Sequence, residues 1–471
     1  MNTPNIFLFS HMGNFYFYDV NIDRIAKVSQ QLYEQLLAQQ KSGDTIASDE
    51  WKKLKDAGFL STNRVEQVVT PGSYLVKDIL DHKLQKLTLQ VTQQCNFRCE
   101  YCIYSGHYEN RTHSNKNMDW DTAKKAIDFY YDHSRDANSI MISFYGGEPL
   151  LKYDLILKAI EYANKIFEGK ELTYTITTNG SLLTTEMVRV FMENNVRITI
   201  SLDGPPEIHD KSRKFASNGK GTFEAIRSNI NKIIEDIPEF KQKLQFSMVV
   251  DSQNNLSCLN EFVLTDEMFD GALLLPSAIT NINRKDKLYA NDEFNAEWEY
   301  IKFLYFLHLL SRVPEKYSGL YRMAAGSLHN FLKCQNRPIR FLNKIEHHSG
   351  PCVPGQLRLF MTVDGNFLPC ERVSEQSDTF IIGNVNEGFF MDKVLKILNI
   401  GNLTQEDCKK CFAFRHCTVC ANMAYSDNDL SKSVKIEGCK NSRYQFYQIL
   451  QDACVLQKLG YRFERLDEVP I

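Results

Sequence analysis

From Lys86 onward the chain alternates short apolar runs with longer amphipathic ones. Apolar or period-two runs predict strands at Leu87–Thr92, Ser139–Tyr145, Leu172–Thr177, Val196–Leu202, Leu244–Val250 and Ala272–Leu275. Helical spacing predicts helices between them at Asp121–His133, Tyr153–Phe167, Thr185–Asn194, Phe223–Glu235 and Asn255–Val263. Six such units predict an α/β fold, a parallel sheet curled into a partial, TIM-like (βα)6 barrel. Residues 1–85 follow a different rhythm. Ile6–Phe9 and Phe15–Tyr18 read as strands joined through His11-Met12-Gly13-Asn14. Ile25, Val28, Leu32, Leu36 and Leu37 share one face of a helix predicted over Ile25–Gln40. Ser48 opens a second helix that stops near Gly58, and Val65–Val69 adds a short strand. Asn291–Arg312 reads as one more long helix, after which the pattern becomes irregular, so the units are 1–85, 86–312 and 313–471.

Composition narrows the choice. A formal net charge of −3 carries no basic footprint for nucleic acid. The apolar segment Ile301–Leu310 is far short of a membrane span and reads as a core helix. The N-terminus lacks a basic stretch followed by an apolar core and a small-residue cleavage site, which predicts a cytoplasmic protein. Thirteen cysteines in such a chain point to metal ligation rather than disulfides.

The first candidate site follows the first barrel strand, where Cys95, Cys99 and Cys102 are spaced C-x3-C-x2-C. Structural zinc takes four protein ligands, so three thiols predict a site with an open coordination position. An iron–sulfur cube on three thiolates keeps one iron free. Ligands in parallel α/β sheets bind at the carboxyl ends of the strands. Those ends carry Gly146-Gly147-Glu148-Pro149, Thr178-Asn179-Gly180 and Ser201-Leu202-Asp203-Gly204-Pro205, with Arg213 farther along. Paired glycines would let backbone approach a ligand, Glu148 accepts from an ammonium, and Arg213 suits a carboxylate. Thr178-Asn179-Gly180 reads as a plain turn. Together the rim describes a pocket for a zwitterionic, hydroxyl-bearing ligand beside a metal cluster.

These motifs, over residues 86 to about 275, resemble the radical S-adenosylmethionine superfamily. The resemblance implies a 4Fe–4S cluster on Cys95, Cys99 and Cys102 whose free iron binds S-adenosylmethionine. It implies Tyr101 against the adenine, Gly147 and Glu148 at the methionine amino group, Ser201 at the ribose and Arg213 at the carboxylate. The end of the sixth strand, near Leu275, would close the adenine side.

Cysteines dominate the last unit: Cys352, Cys370, the run Cys408, Cys411, Cys417 and Cys420, and then Cys439. Zinc ribbons use such paired knuckles, but seven thiols exceed one zinc site. The block resembles the SPASM domain, which carries two auxiliary 4Fe–4S clusters, although the last knuckle has two residues between its cysteines where three are usual. The resemblance implies an outer cluster on Cys408, Cys411, Cys417 and Cys439, and an inner one on Cys352, Cys370 and Cys420. The fourth inner ligand is either Cys334 or a substrate thiolate at an open site. Cys258 and Cys454, on predicted helices, read as buried apolar residues. Glu371 matches the aspartate base of anaerobic sulfatase-maturing enzymes, and pairing with Arg372 is its structural alternative. His347-His348 reads as a solvated loop.

Within the superfamily, Arg358–Ser374 and Cys411–Cys417 resemble maturases of cysteine-rich peptides, of the ranthipeptide and sactipeptide type. That resemblance implies an oxidoreductase that forms thioethers in a ribosomally synthesised precursor peptide. Residues 1–85 resemble a winged-helix-like recognition element that binds a leader through strand addition, a structural cap on the barrel being the alternative, and the resemblance also implies a flavodoxin or ferredoxin as electron donor. The alternatives are formylglycine formation by a sulfatase-maturing type of enzyme, and a non-catalytic iron–sulfur or zinc protein.

Overall fold

The computed structural model describes residues 3–108, 111–312, 319–350 and 352–462. The parts of the predicted terminal units outside those ranges lie beyond the described residues. The amino-terminal unit begins with three antiparallel strands, β1 (Ile6–His11), β2 (Asn14–Asp19) and β3 (Arg24–Val28). Met12 and Gly13 make the β1–β2 turn, both at positive φ (48° and 73°), as a two-residue hairpin requires. The helix predicted from Ile25 is corrected here: residues 24–28 pair with β2, and α1 runs Gln30–Ser42. Ser29 divides the two, its side chain accepting from the Leu32 N–H at 3.2 Å. Ser48 caps α2 (Asp49–Asp56) in the same way. Val65–Val69 forms no strand and makes only a bridge from Gln67 to Ile345; α3 (Val76–His82) leads into the barrel.

Six parallel strands then lie side by side in chain order: β4 (Lys86–Thr92), β5 (Ile140–Gly146), β6 (Leu172–Thr178), β7 (Val196–Ser201), β8 (Gln245–Val250) and β9 (Leu273–Ala278). The connecting helices are α4 (Trp120–His133), α5 (Tyr153–Ile166), α6 (Thr185–Glu193), the short α7 (Pro206–Ser212), α8 (Phe223–Asp236) and α9 (Leu256–Thr265). The last strand ends at Ala278, three residues past the predicted Leu275. The cysteine-rich region continues this sheet. After α10 (Asp292–Leu309) and α11 (Leu320–Gln335), β10 (Leu359–Met361) pairs parallel with β4. Then β11 (Asn366–Leu368), β12 (Gly383–Asn384) and β13 (Gly388–Phe389) extend it, giving ten strands in one sheet. Helices α12 (Met391–Leu398), the single turn α13 (Gln405–Cys408) and the long α14 (Lys432–Lys458) complete the fold, with the ribbon β14–β15 (Tyr425–Ser426, Asp429–Leu430) between the last two. No described helix is long and apolar enough to cross a membrane.

The period of two along β1 and β2 gives the amino-terminal sheet two apolar faces. Ile6, Phe17, Val28, Leu32 and Leu36 form a local core with α1. From the other face, Phe7 stacks on Phe412 at 3.9 Å and Tyr18 meets Phe446 edge-on at 5.1 Å. Polar contacts fix the same junction. Arg415 donates to the carbonyls of Val20 (2.8 Å) and Asn21 (2.5 Å), and Asp23 accepts from Tyr18 and pairs with His416, both at 2.8 Å. Burial works against the Asp23 charge, but the bonds from His416 and Tyr18 outweigh it and hold its pKa below the usual value.

A depressed carboxylate pKa contributes stability that is whole above the unfolded value, about 4, and is lost as pH falls through the folded value. Amide exchange protection across residues 6–28 is therefore expected to weaken selectively on acidification below pH 4. Arg415→Ala should do the same at neutral pH, at a cost of roughly 1.5–3 kcal/mol for a charged hydrogen-bond donor. Uniform loss over the whole chain, or no loss, contradicts the docking role.

Candidate functional site

The loop carrying Cys95, Cys99 and Cys102 leaves β4 and is clamped from three directions. On one side lies the end of β5. Gly147 N donates to Thr92 O (2.9 Å) and Glu148 N to Gln94 O (2.8 Å). A Cβ at Gly147 would stand 2.0 Å from Gln94 O, and one at Gly146 2.1 Å from Thr92 O, with φ at +147°. Backbone meeting backbone is thus by itself enough to demand glycine at both positions. On the second side, Asn96 bonds Ser181 (2.9 Å) and accepts from Asn179 Nδ2 (2.8 Å), so the segment read as a plain turn clasps the loop. On the third, Arg98 N donates to Lys214 O and Ala216 N to Asn96 O, both 2.8 Å.

Glu148 is buried and ties two strand ends together. Its Oε1 accepts from Leu150 N (3.0 Å) and Thr178 Oγ1 (2.7 Å), and its Oε2 from Asn179 N (2.8 Å). Burial raises its pKa against those bonds. Burial also pushes the Cys95 and Cys99 thiols up to about 12, and Cys102 upward, while amides of Phe97 (3.4 Å) and Tyr104 (3.5 Å) point at Cys95 Sγ and Cys102 Sγ.

The residue that sequence reading passed over is Asp203, present in the quoted motif but given no task. Buried at the end of β7, it accepts from Arg213 Nε (2.7 Å) and Nη2 (3.3 Å), Val249 N (2.9 Å) and the Tyr101 hydroxyl. The Arg213 guanidinium lies 5.5 Å from the Tyr101 ring centre. His209, buried behind them, accepts from Asp203 N (3.2 Å) and faces Thr222 Oγ1 (2.9 Å), and burial drops its pKa to about 4. Ser201 ends β7, half-buried and paired in register with Ser247.

Two further thiol groups form in the carboxyl-terminal region. Cys352, Cys370 and Cys420 sit within electrostatic reach of one another, with Cys370 pushed up to about 11 by burial and by Glu371 beside it. Glu371 is held by Arg358 at 3.0 Å, with Arg372 at 3.8 Å. Cys334 is elsewhere, its surroundings being Asp23, Arg24, Arg337 and Arg415, so it does not join this trio. Cys408, Cys411, Cys417 and Cys439 line one pocket. His348, expected in solvent, is buried and lines the same space; its Nδ1 donates to Ser349 O and its Nε2 has no partner among the described residues. His347 accepts from Gly401 N at 2.9 Å. Cys454 is buried as expected, while Cys258 is half-exposed and 3.7 Å from Glu207. Between the first loop and Cys370 lies a buried pair, Arg111 and Glu375 (2.7 Å), braced by Gln90 and Gln93. No spacing rule pointed to it, because its members come from three separate segments.

Asp203→Asn keeps the shape but removes the charge that Arg213 faces. Breaking a buried pair costs about 3–5 kcal/mol, so this variant should lose stability on that scale in denaturant unfolding, whereas Tyr101→Phe, which removes one of several bonds to Asp203, should cost under about 1.5 kcal/mol. Equal, small effects contradict the hub.

The family model for the radical SAM superfamily matches residues 89–257. The chain is 34% identical over 180 residues to the uncharacterized protein MJ0907 of Methanocaldococcus jannaschii, covering 38% of this chain and 57% of that protein. It is 36% identical over 142 residues to the serine-type anaerobic sulfatase-maturating enzyme of Bacteroides thetaiotaomicron, covering 29% and 33% respectively. The chain thus spans between a third and just over half of these two relatives. The solved structure of native anSMEcpe with bound AdoMet has the same fold, with TM-score 0.56 and 21% identity over 79% of this chain and 99% of that one.

Proposed function

We propose, taking as premise that residues 89–257 are a radical SAM domain, that this chain is a peptide maturase forming Cys-derived thioethers in a ribosomally made precursor. The observation that carries the reading is three separate thiol groups on one chain, the first on the rim of a parallel sheet and the others joined to it through β10. When bound, a 4Fe–4S cluster and S-adenosylmethionine together supply a 5′-deoxyadenosyl radical that takes a hydrogen atom from an unactivated carbon.

The residues suit that use. Cys95, Cys99 and Cys102 hold the first cluster; burial that disfavours their free thiolates is offset when iron replaces the protons. Tyr101 lies against the adenine, Gly147 and Glu148 serve the amino group, Ser201 the ribose, and Arg213 the carboxylate. Asp203 occupies Nε and Nη2 of Arg213, which leaves Nη1 for that carboxylate. Cys408, Cys411, Cys417 and Cys439 hold the outer auxiliary cluster, and Cys352, Cys370 and Cys420 the inner one. With Cys334 distant, the inner site keeps a coordination position for a peptide thiolate. Glu371, anchored by Arg358, takes the thiol proton.

Both faces of the β1–β3 sheet are covered, so a strand edge is what it offers to a leader segment. A flavodoxin or ferredoxin supplies the electrons. The relative from Bacteroides favours a second reading, oxidation of a cysteine or serine to formylglycine, which would use the same residues.

Reduced, reconstituted enzyme incubated with a cysteine-rich precursor peptide should release 5′-deoxyadenosine. Mass spectrometry should find a loss of two hydrogens and one fewer alkylatable thiol per link. A product trapped by hydrazine as an aldehyde moves the assignment to formylglycine, and absence of 5′-deoxyadenosine ends both. Glu371→Gln should lower cross-linked product by roughly 100-fold while 5′-deoxyadenosine release continues, and trimming the leader from the peptide should raise KM with little change in kcat.

A further inference from the structure

Lys435 lies in the first turn of α14 and is completely buried. Its Nζ meets two side chains: Thr404 Oγ1 at 2.6 Å and Cys408 Sγ at 3.8 Å. Thr404 Oγ1 is itself 3.3 Å from Cys408 Sγ. Among the described residues no carboxylate pairs with this lysine. The other charged groups around the same space, Asp407 and Arg443, are exposed and half-buried. An ammonium removed from water costs several kcal/mol unless an anion compensates it, and a neutral thiol and a hydroxyl do not. The electrostatics are those of a site completed by a negatively charged group at Cys408.

We propose that Lys435 is the redox-positioning residue of the outer auxiliary cluster: its ammonium raises the reduction potential of that cluster above the inner one. The inference rests on the functional reading above, in which Cys408, Cys411, Cys417 and Cys439 carry a 4Fe–4S cluster. A fixed positive charge beside a ligand sulfur favours the state holding one more electron, and net charge and hydrogen bonds to the sulfurs are what tune such clusters. Burial keeps the effect from being screened by solvent or salt. The cations near the inner trio are each neutralised by a carboxylate: Arg358 and Arg372 face Glu371, and the buried Arg111, near Cys370, pairs with Glu375.

The consequence is directional. Forming a thioether from a C–H bond and a thiol sends one hydrogen atom to the deoxyadenosyl radical, one proton to a base and one electron to an oxidised cluster. With Lys435 in place, an electron reaching the auxiliary pair would be held preferentially at the outer site.

The test is a redox titration of the reconstituted full-length enzyme followed by electron paramagnetic resonance, the outer signal being the one lost in Cys411→Ala. Lys435→Met should lower the ratio of reduced to oxidised outer cluster at a fixed poise by about tenfold, or 59 mV for one electron, with the other two signals unmoved. Thr404→Val, which keeps the charge, should change that ratio by less than about twofold. An unchanged ratio in Lys435→Met, or an equal shift of all three signals, overturns the proposal. So does loss of the outer signal in both Lys435→Met and Lys435→Gln, which would make the lysine an assembly element. A wild-type enzyme whose four outer thiols bind zinc and give no outer signal instead sinks the functional reading itself, and the two failures are told apart by iron and zinc content.

Discussion

The site depends on one close approach of main chain to main chain. The loop bearing Cys95, Cys99 and Cys102 passes so near the end of β5 that residues 146 and 147 can carry no side chain. In return the amides of Gly147 and Glu148 satisfy the carbonyls of Thr92 and Gln94, which a loop leaving a strand would otherwise strand in a dry interior. The same contact puts the Glu148 carboxylate where Thr178, Asn179 and Leu150 can bond it. Two glycines therefore set the height of the cysteine loop above the sheet, and with it the distance from the thiols to every other strand end.

Charge is then placed where water is absent. Asp203 gathers Tyr101, Arg213 and an amide of β8 around one carboxylate, and Glu375 does the same for Arg111, Gln90 and Gln93. Each pair is almost fully buried, which makes it costly unless geometry is good, and correspondingly rigid once formed. The first network ties the thiol loop, through Tyr101, to the ends of β7 and β8. The second spans the gap between the first thiol loop and Cys370, locking the barrel to the region that follows it. Lys435 is the exception, a buried cation with no carboxylate among the described residues, and it lies against a candidate cluster ligand.

The amino-terminal unit is held by its second face rather than by a linker. Alternation along β1 and β2 sends Ile6 and Phe17 toward α1 but Phe7, Phe9 and Tyr18 toward Phe412, Tyr447 and Phe446. Burying large aromatic rings on the far side makes this small sheet part of the main core.

The sequence by itself determined the six barrel strands, five of them to within one residue at each end, and the C-x3-C-x2-C loop after the first, because strand period and short thiol spacing are local properties. It also announced Asp203 as a motif member without revealing its task, and Gly146 and Gly147 without revealing the main chain they lie against. Local reading failed where a segment's state depends on a distant partner. Residues 24–28 have a helical apolar stripe but pair with β2, and Val65–Val69 has strand composition but no neighbour beyond a single bridge. The tertiary structure alone decided that Cys334 stands apart from Cys352, Cys370 and Cys420, that His348 is buried, and that β10 to β13 extend the barrel sheet. It alone put Lys435 against Cys408. The physical reason is common to all of these: burial and pairing over long sequence separations are properties of packing, and no periodicity within a segment records which remote chain will come to lie against it.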